Sequence, residues 1–121
     1  MLWSTKAKIL IEDKVIFGPR VSIITGNHRY DIVGKYIADI KDFEKRDSDD
    51  EDVIIRKDCW IGANVTILKG VTIEEGCVVA AGSVVTKSTE KYGIYAGVPA
   101  KRIKDRFNEI DVERHRKMLN I

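Results

Sequence analysis

The six-residue spacing of its aliphatic side chains constrains this chain more than any other feature. From position 55 onward an aliphatic residue returns at every sixth position without a break: Ile55, Ile61, Ile67, Ile73, Val79 and Val85. Four residues after each of these lies a small or β-branched residue: Cys59, Val65, Val71, Cys77, Ser83 and Thr89. A helix keeps one face with a period of 3.6 residues and a strand with a period of two, so neither element alone explains this spacing.

A three-sided coil does explain the spacing. Each hexapeptide supplies one short strand and one corner, and three of them close a turn, so that equivalent positions stack about 4.8 Å apart. The aliphatic residue fills the interior, while glycine and asparagine suit bends with positive φ. Such residues recur near the expected corners: Gly62, Asn64, Gly70, Gly76 and Gly82. The repeat therefore predicts an all-β solenoid of stacked parallel strands.

An earlier stretch carries the same repeat and is then interrupted. Ile11, Phe17 and Ile23 lie in phase, but the next in-phase aliphatic comes only at Ile55. We therefore predict coils over about 9–28 and 53–98, separated by an excursion loop over 29–54. The excursion opens directly after His28. Because long loops on a rigid scaffold often line functional sites, His28 is a candidate functional residue.

The C-terminal residues predict an end to the coil and a helix. Gly97 and Pro99 are expected to stop the strand ladder, and the polar segment over about 106–120 reads as an α-helix. We expect this helix to cover the open last coil, held by apolar side chains such as Phe107, Ile110, Met118 and Leu119. At 121 residues the chain is predicted to form a single domain, 1–121.

Composition excludes several classes of function. The formal net charge of +2 lacks the basic excess typical of nucleic-acid binding, so no nucleic-acid partner is expected. No apolar run is long enough for a signal peptide or a membrane span, which predicts a cytoplasmic location and no membrane insertion. Cys59 and Cys77 lie eighteen residues apart in the same interior slot, so both are predicted core residues, not nucleophiles, metal ligands or a disulfide. So short a coil buries little core, which favours an oligomer.

Four motifs together resemble the hexapeptide-repeat acetyltransferases, whose fold is the left-handed parallel β-helix. They are Cys59-Trp60-Ile61-Gly62-Ala63-Asn64, Gly70-Val71-Thr72-Ile73, Ala81-Gly82-Ser83-Val84-Val85-Thr86-Lys87 and Gly97-Val98-Pro99-Ala100-Lys101. Within that family the chain is similar to the branch of sugar O-acetyltransferases and xenobiotic acetyltransferases. The resemblance implies a homotrimer that uses acetyl-CoA as acetyl donor, without a metal. The family's N-terminal helical segment and first coils are expected to be absent from this sequence.

Residue by residue, the resemblance implies a base and a donor site. His28 takes the position of the general base at a subunit interface. Apart from the resemblance, a carboxylate or a backbone carbonyl is expected to fix the tautomer of such a base, and Asp31 is the nearest candidate in sequence. Trp60 is expected to line the same cleft. Family contacts to the pantetheine arm and adenine end fall on Ala63, Ala81, Thr86 and Lys87. Lys101 and Lys104 match basic positions near the nucleotide phosphates. His115 is expected on the surface.

These features predict acetyl transfer to a hydroxyl of a small acceptor, preferably a saccharide, by direct attack in a ternary complex. A neutral imidazole is suited to accept the hydroxyl proton near neutral pH. Three alternatives remain open: an amino sugar as acceptor, a xenobiotic as acceptor, and a non-catalytic or truncated β-helix scaffold subunit. A zinc-dependent hydratase of the γ-carbonic anhydrase type needs three histidines around the zinc ion. This chain has two, so we do not expect that activity.

Overall fold

The computed structural model describes residues 2–3 and 6–121, with side chains from residue 6 onward. Its described strands form three sheets, which the chain visits in turn. Sheet A contains β1 (Leu2–Trp3), β4 (Ser22–Ile24), β7 (Thr66–Ile67) and β10 (Val84–Val85). Sheet B contains β2 (Ile9–Ile11), β5 (Val53–Ile55) and β8 (Thr72–Ile73). Sheet C contains β3 (Ile16–Phe17), β6 (Trp60–Ile61), β9 (Val78–Val79), β11 (Gly93–Gly97) and β12 (Ala100–Asp105).

The strand register follows the predicted repeat. Ile61 pairs with Val79, and Ile67 with Val85, each eighteen residues along the chain in a parallel ladder. Ile11 instead pairs with Ile55, a separation of 44 residues that includes the excursion. The ladder also begins earlier than residue 9, because Leu2 pairs with Ile23 and Trp3 with Ile24.

The interior is the column of side chains that the repeat predicted. All six in-phase aliphatics between positions 55 and 85 are at most 1% exposed, and the six small or β-branched residues at most 5%. The first coil differs: Ile23 is fully buried, but Ile11 and Phe17 are 45% and 37% exposed. Strands β2 and β3 have a described neighbour on one side alone, so their interior side chains are covered on one side.

The C-terminal region departs from expectation in its strand ladder. The ladder does not end at Pro99, because the chain turns back at Val98–Pro99 and β12 pairs antiparallel with β11. Helix α1 (Glu109–Met118) contacts the last coil through His115, whose ring lies 5.8 Å from that of Tyr92. It lies along the corner between sheets B and C, where His115 contacts Asp58 at 2.9 Å and Arg116 contacts Glu75 at 3.2 Å.

Polar contacts and one of the predicted apolar residues hold this helix: the ring of Phe107 lies 6.4 Å from that of the buried Tyr92. Ile110 and Met118 are 72% and 78% exposed, so their predicted packing role is wrong. Arg106 instead donates to the Asp58 carboxylate at 2.9 Å and to the Gly76 carbonyl at 3.1 Å. The helix begins at an Asn108 cap, whose side chain accepts from the Asp111 amide.

Candidate functional site

His28 lies at the neck of the excursion. The two chain segments meet there through an antiparallel bridge between Gly26 and Asp50, flanked by two backbone hydrogen bonds. The Glu51 amide donates to Thr25 O at 2.9 Å, and the Asn27 amide donates to Asp49 O at 2.8 Å. His28 is the next residue after Asn27, and its side chain is exposed. The excursion thus presents an accessible imidazole beside a fixed segment of backbone.

Beyond the neck, the excursion consists of short turns held by charged side chains. It contains 3-10 turns at Ile37–Asp39, Asp42–Glu44 and Asp47–Asp49. A cavity of about 90 Å³ opens beside His28, between the first two turns and Lys45. Several large apolar side chains on this loop face solvent: Tyr30, Val33, Tyr36, Ile37 and Phe43.

Two carboxylates of the excursion are bound by guanidinium groups. Asp31 accepts from Arg29 Nε at 2.9 Å and from Arg46 Nη1 at 3.0 Å. Asp49 is buried and accepts from the Arg46 amide at 2.8 Å and Arg46 Nη2 at 3.0 Å. These hydrogen bonds favour the ionised carboxylates: Arg29 lowers the pKa of Asp31, and Arg46 lowers the pKa of Asp49 to about 2. Whether Asp31 orients His28, as the sequence suggested, stays a prediction.

The expected donor-site residues lie in three places on the coil. Trp60 points outward from β6, with 55% of its surface exposed. Ala63 and Ala81 lie at the corner between sheets C and A, one coil apart. Thr86 and Lys87 are exposed directly after β10, at the corner between sheets A and B. Lys101 and Lys104 are exposed on β12.

Sheet A separates two groups of these residues within one chain. His28, Thr86 and Lys87 follow sheet A strands, whereas Ala63 and Ala81 precede them and Trp60 belongs to sheet C. The two groups therefore lie at opposite ends of the sheet A strands. A single chain does not bring His28 together with Trp60, Ala63 and Ala81.

The corner that carries Ala63 and Ala81 is shaped by two glycines. A Cβ on Gly18 would lie 2.6 Å from Ala63 N, and one on Gly62 would lie 2.7 Å from Ala81 N. Both distances are too short for nonbonded atoms, so the coil-to-coil approach requires glycine at both positions. Next to these glycines the corner presents the backbone and the methyl groups of Ala63 and Ala81, and Arg20 donates to Asn64 Oδ1 at 2.7 Å on the same corner.

Sheet C carries an apolar stripe on its outward face. Ile16 pairs with Trp60, Trp60 with Val78, and Val78 with Ile94, so these four side chains line up across neighbouring strands. The equivalent outward positions of sheet A hold Ser22, Thr66 and Val84. A row of exposed large apolar side chains is typical of a surface that binds a ligand or another protein.

The two cysteines do not provide a nucleophile. Both are buried, as predicted, and their Sγ atoms donate to carbonyl oxygens: Cys59 to Glu74 O at 3.1 Å and Cys77 to Glu90 O at 3.0 Å. Burial raises the pKa of Cys59 to about 12 and also raises that of Cys77. Their thiolates are accordingly disfavoured at neutral pH.

Sequence reasoning missed the cluster around Asp58. His115, predicted to be a surface residue, is partly buried: its Nε2 lies 2.9 Å from Asp58 Oδ2 and its ring packs 5.1 Å from that of Phe107. Asp58 is at a coil corner with φ of 60°. No periodic signal links positions 58 and 115, so only the folded chain brings them together.

The described part of the chain gives two further findings. It contains no group of three or more His, Cys, Asp and Glu side chains arranged to hold a metal ion. None of its helices has the length and apolar character needed to cross a membrane.

Comparison with known proteins gives a family model and a relative that match this chain. The family model for the bacterial transferase hexapeptide, with six repeats, matches residues 52–87. A probable macrolide acetyltransferase of Lysinibacillus sphaericus is 41% identical over 119 residues, which cover 85% of this chain and 66% of the relative.

Two solved structures share the fold. AntD, an N-acyltransferase from Bacillus cereus in complex with dTDP and 3-hydroxybutyryl-CoA, matches with a TM-score of 0.74 and 28% identity, over 98% of this chain and 62% of that one. Galactoside acetyltransferase in complex with coenzyme A matches with a TM-score of 0.66 and 27% identity, over 85% of this chain and 48% of that one. The chain thus spans less than two thirds of each of these three proteins.

The sheets of parallel hexapeptide strands agree with this family match. The resemblance identified from the sequence, to the hexapeptide-repeat acetyltransferases and their sugar and xenobiotic acetyltransferase branch, is confirmed.

Proposed function

We propose that this protein transfers an acetyl group from acetyl-CoA to a hydroxyl group of a small acceptor, with His28 as the general base. The observation that carries the proposal is the exposed imidazole at the neck of the excursion. It belongs to a coil whose solved relatives hold coenzyme A or an acyl-CoA. The fold that goes with this activity is the left-handed form of the parallel β-helix.

The proposed reaction is a direct transfer. The imidazole of His28 accepts the acceptor's hydroxyl proton as the oxygen attacks the thioester carbon. The carbon–sulfur bond breaks as the ester bond forms, and the imidazolium returns the proton to the leaving thiolate, so the products are an acetyl ester and coenzyme A. Burial of Cys59 and Cys77 supports direct transfer over an acyl-cysteine intermediate.

The donor site is assigned to the coil corners and the terminal hairpin. Trp60, Ala63 and Ala81 would line the pantetheine arm, beside the close coil-to-coil approaches at Gly18 and Gly62. Thr86 and Lys87 would meet the adenine end. Lys101 and Lys104 are exposed cations on an edge strand, suited to nucleotide phosphates.

A homotrimer is part of this proposal. One chain places His28 at one end of the sheet A strands, and Trp60, Ala63 and Ala81 at the other end. A complete site therefore needs one strand end from each of two subunits. The apolar stripe of Ile16, Trp60, Val78 and Ile94 supplies a surface that such an assembly would cover. The expected particle has three times the 13.7 kDa chain mass.

A saccharide is the first candidate acceptor and a xenobiotic the second. Sugar acetylation is represented among the relatives by galactoside acetyltransferase. The macrolide acetyltransferase relative favours an amphipathic xenobiotic, as do the exposed aromatic side chains of Tyr30, Tyr36 and Phe43 on the excursion. A cytoplasmic location would give either reaction access to the acetyl-CoA pool.

The activity is tested by thiol release from acetyl-CoA with wild type and His28→Ala. The acceptor panel contains maltose, a galactoside, a nucleotide-linked amino sugar, chloramphenicol and a macrolide. We expect one acceptor class to be turned over, and His28→Ala to lower kcat about 10²- to 10⁴-fold while the assembly stays intact. No turnover and no coenzyme A binding by wild type would overturn the proposal in favour of a scaffold subunit.

Mixing two inactive variants tests the shared site. His28→Ala removes the base, and Ala81→Trp blocks the donor site at the opposite end of the sheet A strands. Subunit exchange between them is expected to restore turnover. Some interfaces then combine an unaltered His28 from one subunit with an unaltered Ala81 from the other. Activity that stays at the level of the separate variants would contradict a site built from two subunits.

A further inference from the structure

Arg46 contacts two carboxylates of the excursion, one on each side of His28 in the sequence of contacts described below. Its guanidinium bridges two carboxylates, with Nη1 on Asp31 at 3.0 Å and Nη2 on Asp49 at 3.0 Å. Its own amide also donates to Asp49, at 2.8 Å. Arg46 therefore links two points of the excursion that are far apart in sequence.

Each of these two points is joined to a residue next to His28. On the N-terminal side, Asp49 O accepts from the Asn27 amide at 2.8 Å. On the C-terminal side, Asp31 accepts from Arg29 Nε at 2.9 Å. The hydrogen bonds and the backbone together close a ring. His28 lies in it between Asn27 and Arg29, and the other members are Asp49, Arg46 and Asp31.

We propose that Arg46 is a positioning residue: it closes a ring of hydrogen bonds that holds the backbone on both sides of His28 and thereby aims the imidazole. The inference rests on the proposed function for its catalytic consequence, but the ring itself makes no use of a substrate. Arg46 does not touch the reacting groups.

The environment of the ring supports this role. Asp49 is 1% exposed, so the acceptor that receives three Arg46 donors, the amide, Nε and Nη2, is buried. An Arg guanidinium suits such a bridge, because its planar fork presents several donors at fixed angles and lysine presents a single flexible ammonium. Charge-assisted hydrogen bonds of this kind also gain geometric specificity.

Catalysis by a general base depends on such fixation. A misplacement of about 1 Å can lower a rate about 10²-fold. The His28 side chain is exposed, so burial does not fix the imidazole. The ring supplies the restraint that burial does not.

The experiment compares Arg46→Met with Arg46→Lys and with a matched control, Lys35→Met. Lys35 pairs with Glu44 in the same excursion but outside the ring. With the acceptor identified by the thiol-release panel, Arg46→Met is expected to lower kcat about 10- to 100-fold at an unchanged KM for acetyl-CoA. Arg46→Lys should recover part of the loss, and Lys35→Met should resemble wild type.

A second measurement needs no activity. The chain contains two histidines, so the ring carbon–proton NMR spectrum holds two pairs of signals, with those of His115 as an internal reference. Arg46→Met is expected to shift or broaden the His28 signal and leave that of His115 in place. Asp31→Asn opens the ring at another point and should do the same if Arg46→Met fails to fold.

The outcomes separate the two proposals. If both ring variants leave kcat and the His28 signal unchanged, the positioning role is overturned. If wild type is inactive on every acceptor but the His28 signal moves in the ring variants, the ring stands and the enzymatic proposal fails.

Discussion

The coil over 53–89 and the excursion over 27–50 are held by different forces. In the coil every sixth residue is an interior aliphatic, and the backbone groups pair from one coil to the next. Between residues 27 and 50 Asp49 is the one buried residue, and guanidinium–carboxylate contacts connect the turns of the excursion. Burial thus makes a rigid scaffold, and charge fixes the exposed loop that carries the candidate base.

The largest difference is expected for loss of apolar volume. Ile61→Ala removes a fully buried side chain from the centre of the column and should destabilise the protein by about 2–5 kcal/mol. Val33→Ala, at a side chain 99% exposed on the excursion, should change stability by less than about 0.5 kcal/mol. Urea unfolding at fixed protein concentration measures both, and equal losses would refute the comparison.

A smaller effect is expected for helix α1, the other segment outside the coil. Arg106→Met removes its contacts to Asp58 and Gly76, which should weaken helix docking by about 1–2 kcal/mol. Arg114→Met removes a solvent-exposed pair with Asp111 and serves as the control. Amide hydrogen exchange over 109–118 should quicken in the first variant alone. Equal exchange in both would contradict a role of Arg106 in docking the helix.

The smallest and most local effect is expected from acid. The pKa of Asp49 is lowered from 3.8 to about 2 in the folded chain by its hydrogen bonds from Arg46. The ionised carboxylate therefore stabilises the excursion above about pH 4, and this contribution is lost as the pH falls from about 4 towards 2. Amide exchange over 27–50, corrected for its intrinsic pH dependence, should lose protection in that window.

The coil provides the reference for this acid effect. Its amides over 53–89 should keep their protection as the excursion opens, because apolar burial holds them. Asp49→Asn should remove the pH-dependent step and leave the excursion less protected already at neutral pH. Simultaneous opening of coil and excursion in wild type would contradict a separately held loop.

The sequence was sufficient for the coil because its forces are local and periodic. An interior slot recurs every six residues, and only aliphatic or small side chains fit it, so positions such as Ile61 and Cys77 reveal their burial in the sequence itself. The point where the repeat stops also located His28. The role of His28 and the donor residues came from family resemblance, and the experiments proposed above test it.

The tertiary structure alone decided what lies outside the repeat. The course of helix α1 along the B–C corner depends on the meeting of His115 and Arg106 with Asp58, and the ring around His28 depends on Arg46 reaching both Asp31 and Asp49. Such contacts join side chains far apart in sequence and leave no period. A repeated apolar pattern specifies its own neighbours, whereas an ion pair acquires its partner only when folding brings the two charges together.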